Sequence, residues 1–336
     1  MELVREKIFV YFAGLYETEK RSLIAYLLLP VSFCYAALVG IKNALYDRGR
    51  ITPAKVDAFV VSIGNIAVGG VGKTGFIMRL LQDIAPPAAV ISRGYRSLKS
   101  VPRRVSSVED GDEAFLIASA FPDSSVFAGK KRKDAAELAA RSGFRLILLD
   151  DGMQHRKLHR DIDICLLHRE RLLDRFFLPT GFLRDFPGRL AGMHYIVVTG
   201  IRTRAEFDAA ARILSRYTAA PIIGGNYRLM HPEKYARKRV AAFCGIGLPA
   251  PFFRMLREAG ADLVHTHVLN DHASFSPKMF RAFQEAAQKK GAEMVVCTGK
   301  DAVKQSDAVA ATATFEIGFG KNHYRALIAY LSERAA

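Results

Sequence analysis

The sequence predicts an α/β protein: a parallel sheet domain, preceded by one membrane helix and followed by a smaller second α/β domain. Short apolar runs alternate with helical patterns, which is typical of parallel sheets covered by helices. A stretch at 22–41 contains no charged residue, as a membrane helix requires. We therefore divide the chain into a membrane helix with its connector at 1–50, a core at 51–222 and a smaller domain at 223–336.

The charge-free stretch at 22–41 is long enough to cross ~30 Å of hydrocarbon as a helix. Lys20, Arg21 and Lys42 bracket it, and Pro30 within it is tolerated in membrane helices. A buried core helix and a helix lying in the membrane interface are the alternatives. Basic residues at both ends leave its orientation undecided.

The remaining elements follow from hydrophobic periodicity. In the core we expect strands at 58–63, 88–92, 145–150, 162–167 and 194–199, with helices at 73–84, 131–142 and 205–217. Residues 221–239 contain prolines, glycines and a basic run, which predicts a linker or hairpin. The second domain is expected to hold strands at 240–245, 262–268, 293–298 and 313–318, with helices at 251–259, 276–290 and 321–334.

The formal net charge of +16 favours an anionic partner. An anionic membrane surface and a phosphorylated substrate fit this charge. The chain has no tryptophan and no basic motif interleaved with aromatic residues, so we expect no nucleic-acid partner. Its four cysteines are far apart without a CxxC pair. That spacing argues against zinc and predicts buried free thiols.

Residues 61–74 read VSIGNIAVGGVGKT, which joins a predicted strand to a glycine-rich loop and a helix. This order is typical of a phosphate-binding loop, whose backbone N–H groups surround a polyphosphate. Lys73 is placed to reach the outer phosphates and Thr74 to hold Mg²⁺. Ala67 stands where such loops usually begin with glycine. The predicted nucleotide-binding residues are Gly69, Gly70, Val71, Gly72, Lys73 and Thr74.

Acidic residues follow two of the predicted elements. Asp150 and Asp151 end a buried strand, where a phosphate site commonly delivers a carboxylate to Mg²⁺; capping of a loop is the alternative. Asp112 and Glu113 open a helical stretch, and acids there are usually helix caps. Their second interpretation is a general base at Asp112 and a metal-shell acid at Glu113.

Two further candidates follow predicted strands of the second domain, where loops commonly carry function. His272 adjoins Asp271, and its role is open between structural and functional. Lys300 follows the strand at 293–298 as a possible phosphate ligand, with a helix start capped by Thr298 as the alternative.

Together these segments resemble the lipid A 4′-kinases (tetraacyldisaccharide 4′-kinases) of Gram-negative inner membranes. The resemblance extends from the membrane helix to about residue 304. The sequence departs from the family's motifs at four positions. In the loop, Val71 replaces a threonine and Gly75 a proline; elsewhere, Ala273 replaces a second histidine and Asp185 a glutamate. The motifs that carry it are Gly64-Asn65, Gly69-Gly70-Val71-Gly72-Lys73-Thr74, Ser92-Arg93-Gly94-Tyr95, Gly111-Asp112-Glu113, Asp150-Asp151-Gly152-Met153-Gln154-His155, LPTGFLRD ending at Asp185, Gly245-Ile246-Gly247, Asp271-His272 and Thr298-Gly299-Lys300-Asp301.

The resemblance implies a P-loop NTPase-type fold that uses ATP and Mg²⁺ to phosphorylate the 4′-hydroxyl of an acylated glucosamine disaccharide 1-phosphate. The catalytic domains would lie on the cytoplasmic side of the inner membrane, in contact with its lipids. Under this interpretation the catalytic residues are Asp112 as base, His272 orienting it, Lys73 and Asp151. The metal ligands are Thr74, Glu113, Asp150 and Asp185.

A membrane-bound P-loop nucleotide switch that acts on a protein partner is the alternative function. Such a switch does not need the pair of Asp112 and His272, and the chain lacks the Asn-Lys-x-Asp string that reads guanine.

Overall fold

A computed structural model describes residues 26–94, 101–173, 176–270, 273, 275–305 and 307–336. The strands are β1 Phe59–Gly64, β2 Ala89–Ser92, β3 Arg103–Arg104, β4 Ser125–Ala128, β5 Leu146–Asp150, β6 Ile162–His168, β7 Tyr195–Thr199, β8 Ile222–Leu229, β9 Arg239–Cys244, β10 Asp262–Val268, β11 Met294–Thr298, β12 Val309–Ala311 and β13 Ala313–Phe319. The helices are α1 Leu29–Asp47, α2 Lys73–Asp83, α3 Asp112–Ala120, α4 Arg132–Arg141, α5 Arg204–Leu214, α6 Ala250–Glu258, α7 Pro277–Lys289, α8 Gly299–Ala302 and α9 Lys321–Ala335.

The larger sheet has nine strands in the order β13-β8-β7-β6-β1-β5-β2-β4-β3. Its central strands are parallel, whereas β13 and β3 join the two edges in antiparallel pairing. Strands β5 and β6 are buried along their whole length, as expected for a sheet with both faces covered. Since Ile63 pairs with Asp150, the loops after β1 and β5 leave the same edge side by side.

The smaller sheet has four parallel strands in the order β10-β9-β11-β12. Helices α6 and α7 pack against it through apolar faces that include Phe252, Leu256, Phe280 and Phe283. The predicted α/β class, the parallel sheet and the second α/β unit are therefore confirmed.

The predicted domain boundary at 222/223 does not coincide with the division of the strands between the two sheets. The sequence predicts a linker or hairpin at 221–239, but Ile222–Leu229 is strand β8, which pairs with β7 and β13 of the larger sheet. The chain then forms the smaller sheet at 239–311 and returns. The last helix, α9, packs back on the core, where Leu327 and Leu331 are fully buried.

Helix α1 has an inverted distribution of side chains. Its two buried residues are polar, Ser32 and Asn43, while Phe33 and Leu38 are 70% and 67% exposed. Cys34, expected to be buried, is exposed on this helix. Within the described part of the chain, α1 is the one helix that is long and apolar enough to cross a membrane.

Candidate active site

The predicted phosphate loop forms a tight turn between β1 and α2. Gly72 precedes the helix in a left-handed conformation with φ of 89°, which favours glycine. Strand β8 adds a second constraint, because the Tyr227 hydroxyl donates to the Gly72 carbonyl at 2.6 Å. A Cβ at Gly72 would lie 2.4 Å from that hydroxyl oxygen. Glycine is therefore required here by both backbone conformation and packing.

The loop is also held from two other sides. The Thr199 hydroxyl at the end of β7 donates to the Val71 carbonyl at 3.0 Å. Gly70 lies against the turn that follows β9, where a Cβ at Gly70 would be 3.6 Å from Gly247 Cα. The smaller sheet thus contacts the phosphate loop directly, and a bound nucleotide at this loop would lie near both sheets.

Asp151 is the anionic partner of the two basic side chains at this edge. Lys73 Nζ lies 3.3 Å from its Oδ1, and Arg184 donates to both carboxylate oxygens at 3.0 and 2.8 Å. Burial alone would raise the pKa of Asp151, but the Lys73 and Arg184 charges hold it well below its usual range. Asp151 therefore stays ionised and fixes the Lys73 ammonium beside the phosphate loop.

Asp150 has the opposite environment. Its side chain is buried, and within the described structure its Oδ1 has no hydrogen-bond partner. Burial, together with the nearby Glu113 carboxylate, raises the pKa of Asp150 to about 7 in spite of the opposing Lys73 charge. A cation would relieve this destabilisation by compensating both carboxylates.

Glu113 joins the two sheets at the start of α3. Its Oε2 accepts from the Thr74 hydroxyl at 2.9 Å, and its Oε1 lies 3.1 Å from Lys300 Nζ. Asp112 forms an ion pair with Lys304. Gly111, not either acid, is the N-cap of α3, so capping does not explain the two carboxylates. Thr298 caps α8, as expected from the alternative interpretation in which Lys300 only belongs to a helix start.

The predicted metal ligands are brought together in part. Among the residues the structure describes, no group of three or more histidine, cysteine or acidic side chains forms a ready-made metal site. Mg²⁺ at phosphate sites needs few protein ligands, because phosphates and waters complete its octahedron. The Thr74 hydroxyl, Glu113 and the unpartnered Asp150 oxygen fit such an ion.

Asp185 lies in a different environment. It is buried, and its Oδ1 accepts from Asn43 Nδ2 at 2.8 Å and from the Phe186 amide at 2.9 Å. These bonds tie it to helix α1, and its metal-shell role stays a prediction. Asp271 and His272 lie outside the described residues.

Sequence reasoning missed three supporting side chains. Lys304, Tyr227 and Arg132 belong to none of the motifs described above. Arg132 is buried and donates to the Asp151 carbonyl at 2.7 Å. The spacing of Lys304, four residues after Lys300 at a helix start, was the available signal.

Comparisons with known proteins identify the family of this chain. A family model described as tetraacyldisaccharide-1-P 4′-kinase matches residues 24–331. A tetraacyldisaccharide 4′-kinase of Chlamydia pneumoniae is 36% identical over 272 residues, which cover 75% of this chain and 74% of the relative. One from Syntrophus aciditrophicus is 33% identical over 323 residues, covering 84% and 85%.

The crystal structure of LpxK from Aquifex aeolicus in complex with ATP superposes with a TM-score of 0.72 at 27% identity. The match covers 92% of this chain and 99% of that one. The residues matched by the family model, 24–331, include the phosphate loop, both acidic pairs and the smaller sheet. The chain belongs to the tetraacyldisaccharide-1-P 4′-kinase family.

Proposed function

We propose that this chain transfers the γ-phosphoryl group of ATP to the 4′-hydroxyl of an acylated glucosamine disaccharide 1-phosphate at the cytoplasmic face of the inner membrane. The observation that carries the proposal is the convergence of Lys73 with Asp151 and of Thr74 with Glu113 at one sheet edge. The names of the relatives supply the acceptor class.

Phosphoryl transfer needs positioning and charge compensation more than covalent chemistry. Lys73 and the amides of the loop would bind the β- and γ-phosphates, with the Lys73 ammonium already held by Asp151. Thr74, Glu113 and Asp150 would hold Mg²⁺, which supplies electrostatic stabilisation of the phosphates when bound. Arg184 would then keep Asp151 oriented toward Lys73.

Asp112 is the proposed general base for the acceptor hydroxyl. It begins α3 next to Glu113, so the base and the metal ligand lie on consecutive residues. A carboxylate in this role must be ionised and positioned, and the Lys304 ammonium, in the turn after α8, forms an ion pair with Asp112. His272 is proposed to orient Asp112 during transfer.

Helix α1 would place this site at the lipid surface. Ser32 Oγ lies 2.8 Å from the Thr180 hydroxyl near one end of the helix, and Asn43 bonds Asp185 near the other. Because α1 is docked along its length, we propose that it lies partly embedded with its apolar face in lipid. A lone span across the bilayer would leave no room for these contacts.

The direct test is transfer of labelled phosphate from ATP to the tetraacylated disaccharide 1-phosphate in detergent, with the product's 4′-phosphate identified by mass spectrometry. We expect lipid-dependent and Mg²⁺-dependent transfer that Lys73→Met removes. Nucleotide hydrolysis that is indifferent to the lipid would instead support the nucleotide switch.

A further inference from the structure

Two hydroxyl groups hold the backbone of the phosphate loop from neighbouring strands. The Thr199 hydroxyl, at the end of β7, donates to the Val71 carbonyl at 3.0 Å and lies 3.4 Å from the Leu167 carbonyl. The Tyr227 hydroxyl, on β8, donates to the Gly72 carbonyl at 2.6 Å. We call Thr199 and Tyr227 the hydroxyl clamp. The clamp therefore engages two consecutive carbonyls of the loop.

The orientation of these carbonyls determines the orientation of the next two amides. In a planar trans peptide, the carbonyl of one residue and the N–H of the next point in opposite directions. The Gly72 N–H therefore points away from Thr199, and the Lys73 N–H points away from Tyr227. The Gly72 carbonyl also accepts from the Phe76 amide at 3.1 Å. The Lys73 N–H thus leaves the N-terminal end of α2, where such groups bind phosphate.

The loop needs such contacts because its glycines allow other conformations. Gly69 and Gly72 have φ angles of 125° and 89°, and glycine changes backbone conformation at little steric cost. Rotation of the peptide that joins Gly72 to Lys73 would turn the Lys73 amide away from a bound phosphate. A loop that is ordered before the ligand arrives avoids part of the entropy cost of binding.

The Tyr227 side chain is itself held in one place. Its ring packs against Phe315 with 5.3 Å between the ring centroids, and Phe315 packs edge-on against Phe76 of α2 at 5.8 Å. Gly75 leaves room for the tyrosine, because a Cβ there would overlap both the ring and the hydroxyl. Burial and the nearby Glu113 carboxylate both raise the pKa of Tyr227 above its usual range, so the hydroxyl keeps the proton that it donates.

We propose that the hydroxyl clamp positions the phosphate loop for the nucleotide, by holding the Gly72 and Lys73 amides toward the polyphosphate before it binds. Both hydroxyls bond the backbone, so Thr199 and Tyr227 are positioning residues that act through the loop. This inference rests on the proposed function in taking ATP as the ligand of the loop. The same amides serve the bound nucleotide and the transition state. Loss of the clamp therefore raises the KM for ATP and leaves kcat nearly unchanged.

The test is equilibrium binding of ATP with Mg²⁺ in the absence of acceptor, followed by transfer kinetics. We expect Tyr227→Phe to weaken ATP binding by about five- to tenfold, because one oriented hydrogen bond is lost. Thr199→Val should weaken it in the same way. Tyr324→Phe is the matched control, since it removes a tyrosine hydroxyl that donates to Asp83, at the opposite end of α2, at 2.7 Å. The control should bind ATP like the native protein, whatever its thermal midpoint.

Gly75→Ala tests the packing of the tyrosine in a second way. Alanine is favoured over glycine inside a helix, so a loss of affinity would come from contact with the ring. We expect Gly75→Ala to weaken ATP binding at least as much as Tyr227→Phe, because the added methyl group displaces the hydroxyl. Tyr227→Leu removes the ring, so Gly75→Ala/Tyr227→Leu should bind ATP as tightly as Tyr227→Leu alone. Native affinity in Gly75→Ala would contradict the proposal.

The remaining outcomes separate the clamp from the proposed function. A folded Tyr227→Phe with native ATP affinity overturns the clamp. An equal loss in Tyr324→Phe also overturns it, because the loss would then follow from weaker packing of α2. A fall in kcat at native ATP affinity overturns it as well, since the hydroxyl would then act in the chemical step. If the native protein binds ATP but does not phosphorylate the disaccharide, the proposed function fails and the results for the clamp are unaffected.

Discussion

Helices α1 and α2 bury opposite kinds of side chain. Helix α2 buries Phe76, Ile77, Leu80 and Leu81 and directs its N-terminus at the phosphate loop. Helix α1 buries Ser32 and Asn43 and leaves its large apolar residues exposed. In water the arrangement of α1 is unfavourable. Exposing large apolar side chains costs free energy, and burying two polar side chains does not offset that cost. The difference indicates that the two helices are built for different surroundings.

The buried side chains of both helices nevertheless have suitable partners within the protein. The polar side chains of α1 find partners in the 177–186 segment, so no buried hydroxyl or amide there costs free energy. The apolar side chains of α2 contact the central strands. We therefore expect changes near α2 to alter chemistry and stability in any medium, and changes on the outer face of α1 to matter only at a lipid surface.

The largest effect is expected for Asp112→Asn. If Asp112 accepts the hydroxyl proton, kcat should fall by ~10²–10⁴ with little change in ATP affinity. The loss should be the same for acceptor in detergent and in vesicles. Radiometric transfer assays measure kcat, and equilibrium ATP-binding titrations measure the ATP affinity. If Asp112 and His272 act as one unit, adding His272→Ala should cost little more; normal transfer by a folded Asp112→Asn would reject the base.

Lys73→Ala is expected to cost at least ~3 kcal/mol of transition-state stabilisation, about a hundredfold in rate. The variant removes a charge-assisted phosphate contact and leaves Asp151 paired with Arg184 alone. A thermal midpoint near that of the native protein would show that the loss is chemical. Transfer within a few-fold of native would contradict the assignment of the phosphate loop.

The same substitution in both helices compares them directly. Leu80→Ala should lower the free energy of unfolding by ~2–5 kcal/mol, because Leu80 is fully buried in the core. Leu38→Ala should change it by less than ~0.5 kcal/mol in detergent, since Leu38 is 67% exposed. Denaturant titrations of both variants measure these free energies of unfolding. A large decrease for Leu38→Ala would mean that Leu38 is buried against another surface and does not face detergent or lipid.

The sequence predicted most of the larger sheet, because long buried runs such as 145–150 and 162–167 have one interpretation. It missed β8, because Pro221, Gly224 and Gly225 are typical of a linker or hairpin. In the structure those glycines make room for aromatic rings: a Cβ would lie 2.6 Å from Phe207 at Gly224 and 2.6 Å from Phe315 at Gly225. Packing across the sheet, which no local pattern shows, decided the strand.

The candidate site divides in the same way. Lys73 and Thr74 are predicted by a local motif whose residues have a known role in phosphate binding. Asp150 and Asp151 are predicted because they end a buried strand. The lysine that pairs with Asp112, Lys304, lies almost two hundred positions along the chain, in the connection between β11 and β12 of the other sheet. Such a contact depends on how the two sheets meet at the phosphate loop, so the sequence alone did not reveal it.

The smallest expected effect isolates the outer face of α1. Phe33→Ser/Leu38→Ser should weaken binding to phospholipid vesicles by about tenfold or more, because it removes much of the apolar area that the helix would bury in lipid. Transfer to acceptor in vesicles should fall with binding, whereas transfer to detergent-dispersed acceptor should be unchanged. Met279→Ser, on the 54% exposed Met279 of α7, is the control and should bind vesicles normally. Equal vesicle binding by all three proteins would mean that the exposed apolar face of α1 meets something other than lipid.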